Sequence, residues 1–131
     1  MVIDTSALVA MVLREDERFI FEDIVLRSPT AVMSVVSLVE TTIVLLNKRR
    51  GAEAASLDAT VEALRIDVRN VDSTQGMLAR SAFSQYGRGH NPAALNFGDC
   101  FVYALAKVRD DTLLFKGNDF SKTDVVPAWR P

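Results

Sequence analysis

The sequence is poor in the residues that build disulfide frameworks and zinc sites. It contains one cysteine, Cys100, and one histidine, His90, so no intrachain disulfide or thiolate–imidazole cluster is available. Pro and Gly are also few, with 4 and 6 copies, in a chain that is 49% hydrophobic and 24% charged. A chain of 131 residues can bury about two-thirds of the surface that it exposes when unfolded. We therefore expect a single globular domain over residues 1–131 that needs no covalent cross-link.

Long hydrophobic segments and targeting signals are missing as well. The longest mainly apolar stretch, 35–46, is interrupted by four polar residues and is too short to span a bilayer. The opening residues show no basic segment followed by an apolar one, as a secretory signal would require. A lone cysteine suits a reducing compartment. These absences predict a cytoplasmic protein without a membrane contact.

Charge of either sign is close to balanced, with a formal net charge of −2. This balance argues weakly against nucleic acid as a partner, because phosphate-binding proteins usually carry a basic face. Lys48-Arg49-Arg50 is a compact basic cluster, however, and a site built of carboxylates would itself lower the total. Divalent ions bound at such a site would return positive charge to it. Net charge therefore does not decide the function.

Short apolar strands alternate with helical segments along the chain. Apolar runs predict strands at 1–3, 31–33, 66–71, 112–115 and 125–126, and helical periodicity predicts helices at 7–13, 15–26, 35–49, 52–64, 72–86 and 97–108. Ser34, Asp72 and Asn96 are suited to cap the helices that follow them, and Gly51 to end the helix that starts at 35. The alternation predicts an α/β fold, a small parallel sheet flanked by helices on both faces.

Two acidic residues follow predicted strands. In open parallel sheets the ligand site lies at the carboxyl ends of the strands, and Asp4 comes directly after the first one. Asp4 is equally suited to cap a helix, a role that Ser6 could take instead. Asp119 follows the strand near 115 through a tight turn, where Asn118 and Asp124 are alternatives for its position.

Two further acidic residues lie on largely apolar helices. Glu40 shares a helical face with Val36, Ile43 and Val44, given 3.6 residues per turn. A glutamate in such surroundings pairs with a cation such as Lys48, binds a metal ion, or has a raised pKa.

Asp99 falls in the first turn of the helix after Asn96. A carboxylate there is also stabilised by the helix dipole, which is its simplest structural explanation. The rest of that helix is apolar and predicted to be buried, so its N-terminus should point to the same sheet edge as Asp4. Four acidic side chains converging at one edge repel one another and form the all-oxygen site that Mg²⁺ or Mn²⁺ prefers.

Four segments carry the candidate acidic residues: Met-Val-Ile-Asp-Thr-Ser-Ala at 1–7, Ser-Leu-Val-Glu at 37–40, Leu-Asn-Phe-Gly-Asp-Cys at 95–100 and Phe-Lys-Gly-Asn-Asp-Phe at 115–120. In their order and spacing over nearly the whole chain, these segments resemble the PIN-domain toxins of VapC type. The resemblance implies a three-layer α/β/α fold and a toxin endoribonuclease held inactive by an antitoxin. It also implies a homodimer that assembles further with the antitoxin. The family's acidic positions correspond to Asp4, Glu40, Asp99 and Asp119, with Asn118 as an alternative for the fourth.

This resemblance predicts hydrolysis of RNA by water on one or two divalent ions. We expect Asp4 and Asp99 to hold the principal ion, while Glu40 and Asp119 complete its shell or order a water. We expect Thr5, Ser6 and Asn118 to be supporting polar residues of the site. The candidates for guiding RNA are Arg80, Arg88 and Lys116. A route through the ribose 2′-hydroxyl with His90 as base is the competing mechanism.

Two other functions remain open from the sequence. One is a catalytically silent PIN-like module that binds RNA or protein. The other is a phosphoacceptor receiver domain, which also has an acidic pocket and a lysine near its last strand, as Lys116 is here. A receiver places adjacent acidic residues after its first strand, whereas Asp4 stands alone.

The helices at 15–26 and 35–46 carry more apolar residues than one buried stripe needs. We therefore expect some of these side chains to face outward and to form a groove for a segment of another chain. The resemblance implies that this segment belongs to the antitoxin and sends an Arg or Lys toward the carboxylates.

Overall fold

The computed structural model describes residues 1–131, and it places a four-stranded parallel sheet between two layers of helices. The strands are β1 (Val2–Ile3), β2 (Ala31–Ser34), β3 (Ile66–Arg69) and β4 (Leu113–Leu114), in the order β3-β2-β1-β4. The helices are α1 (Thr5–Val12), α2 (Arg18–Arg27), α3 (Val35–Asn47), α4 (Gly51–Ala55), α5 (Leu57–Ala63), α6 (Ser73–Tyr86) and α7 (Phe97–Arg109), with a 3-10 helix at Phe120–Lys122. The predicted three-layer α/β/α fold is confirmed.

Each face of the sheet has its own hydrophobic core, because successive strand residues point to opposite faces. In β1, Ile3 packs with Leu8 and Phe21 on the side of α1 and α2, while Val2 packs with Leu105 of α7 on the other side. Both faces are therefore covered, which explains why the strands are apolar throughout rather than alternating.

The region after α3 differs from its prediction. Helix α3 ends at Asn47, and Arg49 takes a left-handed backbone with φ of 56°. The Arg49 and Arg50 N–H groups donate to the Leu46 and Leu45 carbonyls, which is the Schellman arrangement that closes a helix. Gly51 begins α4 instead of ending α3, and the helix predicted at 52–64 is divided at Ser56.

The predicted strand at 125–126 is wrong. Only a single parallel bridge joins Pro127 to Leu113, through hydrogen bonds from the Leu113 N–H to the Val126 carbonyl and from the Ala128 N–H to the Leu113 carbonyl. None of the helices combines the length and the apolar composition that a bilayer crossing requires.

Candidate active site

Four carboxylates gather where β1 and β4 end and where α7 begins. Asp4 follows β1, Asp119 follows β4, and α3 and α7 bring Glu40 and Asp99 to the same edge. Their charges interact, since the pKa of Asp99 is raised by all three of the others. The structure thus brings together the four acidic residues singled out in the sequence.

Asp4 is a helix cap and a member of this cluster at once. Its side chain is only 5% exposed, and its Oδ2 accepts hydrogen bonds from the Ser6 N–H (2.9 Å) and the Ser6 hydroxyl. The Ser6 oxygen in turn accepts a hydrogen bond from the Lys116 N–H at 2.9 Å, which ties the end of β4 to α1. Burial raises the pKa of Asp4, the bonds from Ser6 oppose this, and the charge of Asp119 adds to the increase. Ser6 therefore orients Asp4 and is not itself the cap.

Glu40 is half-buried on α3 and has no cationic partner. Thr5 lies beside it, with its hydroxyl 3.3 Å from Glu40 Oε1 and 3.2 Å from the Ser37 carbonyl oxygen. Burial raises the pKa of Glu40, and the nearby charge of Asp4 raises it further. Lys48, the partner weighed from the sequence, forms no ion pair. Of the three explanations that the sequence offered for Glu40, the structural ion pair is excluded, and metal binding and a raised pKa remain.

The face of α3 that packs on the protein is not the apolar face that carries Glu40. Ser37, Thr41 and Leu45 are buried, whereas Ile43 is 51% exposed. The small polar side chains can be buried because the helix backbone satisfies one of them: the Thr41 hydroxyl donates to the Ser37 carbonyl at 2.8 Å. Most of the other apolar residues of α3, among them Val39, Ile43 and Leu46, are consequently left at the surface.

Asp99 occupies the third position of α7 in a reciprocal capping box. The Asp99 N–H donates to Asn96 Oδ1 at 2.9 Å, and the Asn96 N–H donates to Asp99 Oδ2 at 3.0 Å. Burial raises the pKa of Asp99 to about 7, the hydrogen bond from Asn96 opposes this, and the three neighbouring carboxylates add to it. The Asp99 carboxyl thus caps the helix and also accepts a proton near neutral pH.

Asp119 lies in an exposed turn just before the 3-10 helix. Its charge raises the pKa values of Asp4 and Asp99, which places it near both. The Asn118 carbonyl accepts hydrogen bonds from Ser121 and shapes the turn. Asp124, the other alternative, accepts hydrogen bonds from the Tyr103 hydroxyl (2.7 Å) and from Lys107 Nζ (2.9 Å), so it belongs to a different cluster.

The basic residues considered for RNA are distributed unevenly. Lys116 Nζ is bound to Glu15 (2.6 Å) and Glu17 (2.8 Å) and does not reach the carboxylate cluster. This arrangement also removes the lysine that a receiver domain would need in its acidic pocket. Arg88 is exposed in the loop after α6, and Arg80 lines an apolar cavity of about 480 Å³ together with Phe97 and Cys100. The His90 ring packs edge-on against Phe83.

Gly98 is the one site residue that the sequence did not mark. A Cβ atom at this position would lie 2.1 Å from the carboxyl atoms of Glu40, so the backbone of α7 touches that carboxylate. The sequence shows a glycine between Phe97 and Asp99, but it does not show that the Glu40 carboxylate packs against this position.

The donor set fits a hard divalent cation. None of the four carboxylates forms an ion pair, and two of them are buried, so they are desolvated without a compensating positive charge. As they are placed, no three acidic, histidine or cysteine side chains converge on one ion. Mg²⁺ usually binds through one or two carboxylates and keeps several waters, which agrees with this spacing.

Residues 1–126 match the PIN domain family. A protein named Ribonuclease VapC from Mycolicibacterium smegmatis is 43% identical over 125 residues, covering 95% of this chain and 97% of that protein. Ribonuclease VapC30 of Mycobacterium tuberculosis is 40% identical over 131 residues and covers both chains completely.

Solved structures share the fold at lower identity. VapC20 of Mycobacterium tuberculosis, described as a Sarcin-Ricin loop cleaving toxin, aligns with a TM-score of 0.79 at 18% identity over 99% of this chain and 98% of that one. A chain of a toxin-antitoxin complex from Klebsiella pneumoniae aligns with a TM-score of 0.71 at 16% identity, again over 99% and 98%. At such identities the likeness concerns the fold.

Proposed function

Since the chain belongs to the PIN-domain family and, within it, to the VapC ribonucleases, we propose that it is the toxin endoribonuclease of a toxin-antitoxin pair and hydrolyses RNA with Mg²⁺ or Mn²⁺. The observation that carries the metal-dependent mechanism is the gathering of Asp4, Glu40, Asp99 and Asp119 at one sheet edge without a cationic partner. A silent binding module has no need of four mutually repelling carboxylates. An RNA substrate also implies that the protein acts in the cytoplasm.

Asp4 and Asp99 would hold the principal ion in this proposal. In each of them, Oδ2 accepts a helix-capping hydrogen bond that fixes the orientation of the carboxylate, which would remain available to the ion. The capped helix N-termini also add partial positive charge next to the scissile phosphate. Asp119, on an exposed turn, completes the shell directly or through a water.

A divalent ion bound there would lower the pKa of a water molecule and neutralise charge on the phosphate. Glu40 would order the attacking water and accept its proton, a role supported by the raised pKa of this half-buried carboxyl. Attack of water on phosphorus leaves a 5′-phosphate and a 3′-hydroxyl. His90 is not required, and its ring is engaged with Phe83.

The exposed apolar residues of α2 and α3 provide a surface for the antitoxin. Both helices pack against α1, the helix that Asp4 caps. The side chains left exposed are Phe19, Ile20 and Leu26 on α2 and Val35, Val39, Ile43 and Leu46 on α3. We expect an antitoxin segment to cover part of them and to place an Arg or Lys among the carboxylates, in competition with metal. A homodimer would cover further apolar surface.

The decisive experiment is cleavage of an end-labelled RNA by the purified chain with Mg²⁺, Mn²⁺, Ca²⁺ or EDTA. We expect cleavage with the first two ions, essentially none with Ca²⁺ or EDTA, and products that carry 5′-phosphates. Asp99→Asn is the matched inactive control, since asparagine retains an oxygen for the capping box. Full cleavage in excess EDTA would refute the mechanism, and RNA binding without cleavage under every condition would indicate a silent module.

The antitoxin proposal has its own test. A peptide from the neighbouring small protein should inhibit cleavage, and additional Mg²⁺ should partly restore it. Inhibition that is independent of metal concentration would contradict the competition between a basic side chain and the ion.

A further inference from the structure

The first turn of α7 lies directly against the carboxylate of Glu40, at Gly98. This glycine is the second residue of the helix and is buried. A Cβ atom built on it would lie 2.1 Å from Cδ, Oε1 and Oε2 of Glu40, far below the 3.0 Å that real Cβ contacts respect. The capping box of Asn96 and Asp99 fixes the helix backbone on either side. A side chain at 98 therefore has to displace the flexible end of Glu40.

The backbone conformation does not explain a glycine here. Gly89 and Gly117 have positive φ values, which other residues rarely adopt, whereas Gly98 is helical. Glycine is the least favourable residue after proline inside a helix. The space required by the Glu40 carboxylate is the one local feature that excludes a side chain at this position.

The same carboxylate also contacts α1. The Thr5 hydroxyl lies 3.3 Å from Glu40 Oε1, and Glu40 has no ion pair that would hold it elsewhere. The carboxylate thus contacts both Thr5 and the backbone of α7, near Asp99.

We propose that Gly98 is a positioning residue for cleavage: its missing side chain lets the Glu40 carboxylate rest on the first turn of α7, at the place where it acts on the attacking water. This inference depends on the role of Glu40 in the proposed function. Displacement of a catalytic group by about 1 Å can cost about 100-fold in rate. Gly98→Ala should therefore lower kcat about 100-fold with little change in KM.

Gly76 supplies a matched control within the same chain. It lies inside α6, and a Cβ atom there would meet nothing within 4 Å. Gly76→Ala should keep full activity and raise Tm by about 2–4 °C, the expected gain from an alanine in an open helical position. Equal behaviour of the two variants would overturn the proposal.

A double-mutant cycle with Glu40 separates positioning from other effects. In the Glu40→Gln background Gly98→Ala should cause no further loss of activity, because no catalytic carboxylate remains to be displaced. In addition, the ¹³C resonance of the Glu40 carboxyl should shift in Gly98→Ala and not in Gly76→Ala. Losses that multiply in the double variant, or an unmoved resonance, would contradict the proposal.

Stability provides a readout that does not depend on activity. Gly98→Ala should lower Tm in the wild-type chain and raise it in a Glu40→Ala background, where the space is empty. A decrease of equal size in both backgrounds would show that the alanine collides with something else. If Glu40→Gln is fully active while Asp99→Asn is not, the assigned role of Glu40 fails. If Glu40→Gln is inactive and Gly98→Ala is not, only the inference on Gly98 fails.

Discussion

Two groups of carboxylates in this protein have opposite surroundings. Asp124 is held by Tyr103 and Lys107, and Glu17 by Lys116, and in both the pKa lies below its ordinary value because hydrogen bonds stabilise the ionised form. Asp4, Glu40 and Asp99 meet no cation, and burial raises the pKa of each.

The contrast distinguishes carboxylates that stabilise the fold from carboxylates that destabilise it. An ion-paired carboxylate such as Asp124 stays charged at little cost. The carboxylates at the end of β1 are desolvated and repel one another, and only helix N–H groups and hydroxyls compensate them. Clusters of this kind with perturbed pKa values are typical of functional sites. Perturbing the two groups separately tests this division.

The largest effect is expected at the ligands of the principal ion. Asp4→Asn or Asp99→Asn should reduce RNA cleavage about 1000-fold, because a metal-bound transition state loses several kcal/mol of charge stabilisation. Circular dichroism should match wild type and Tm should not fall, since asparagine keeps the capping oxygen and removes a charge that repels the neighbouring carboxylates. Normal cleavage by Asp99→Asn would show that the site lies elsewhere.

Substitution of Glu40 should change activity and stability in opposite directions. Glu40→Gln should lower kcat about 100-fold, as loss of a general base commonly does. In metal-free protein the same change should raise Tm by a few degrees, because it relieves repulsion with Asp4 and Asp99. Thermal melts in EDTA provide the measurement, and a lower Tm for Glu40→Gln would indicate a structural role instead.

The stability of the metal-free protein should fall as pH rises from about 4 to 7. The pKa of Asp99 is about 7 in the folded chain and 3.8 as its ordinary value, so the folded state binds more protons across this interval. The stabilisation from protonated Asp99 is complete below pH 4 and is lost as pH passes 7. Denaturant titrations between pH 4 and 8 should show this slope, and Asp99→Asn should flatten it. Saturating Mg²⁺ should offset the decline in stability. An unchanged slope in Asp99→Asn would contradict the assignment of the pH dependence to Asp99.

The smallest effect is expected in the ion-paired group. Asp124→Asn should cost about 0.5–1 kcal/mol of unfolding free energy, because its pair with Lys107 is largely exposed to solvent. RNA cleavage should be unchanged, and the stability difference should shrink in high salt. A large loss of cleavage in Asp124→Asn would show that Asp124 belongs to the active site and would contradict the division into two groups.

Much of the fold was predictable because its signals are local. The alternation of strands and helices and the caps at Ser34, Asp72 and Asn96 depend on a few neighbouring residues, and the structure confirms them. The end of α3 was mispredicted because Arg49, not Gly51, takes the left-handed conformation. A local pattern shows that a turn is needed but not which residue makes it.

The sequence by itself determined which acidic residues follow strands or begin buried helices, and hence that Asp4 and Asp99 would meet at one edge. The tertiary structure alone decided which charged residues are paired: Lys116 binds Glu15 and Glu17, and Glu40 meets Thr5 and Gly98. These contacts join residues far apart in the chain, and side-chain periodicity along one helix carries no information about the element that packs against it. The exposure of Ile43 and the burial of Ser37 on α3 have the same cause.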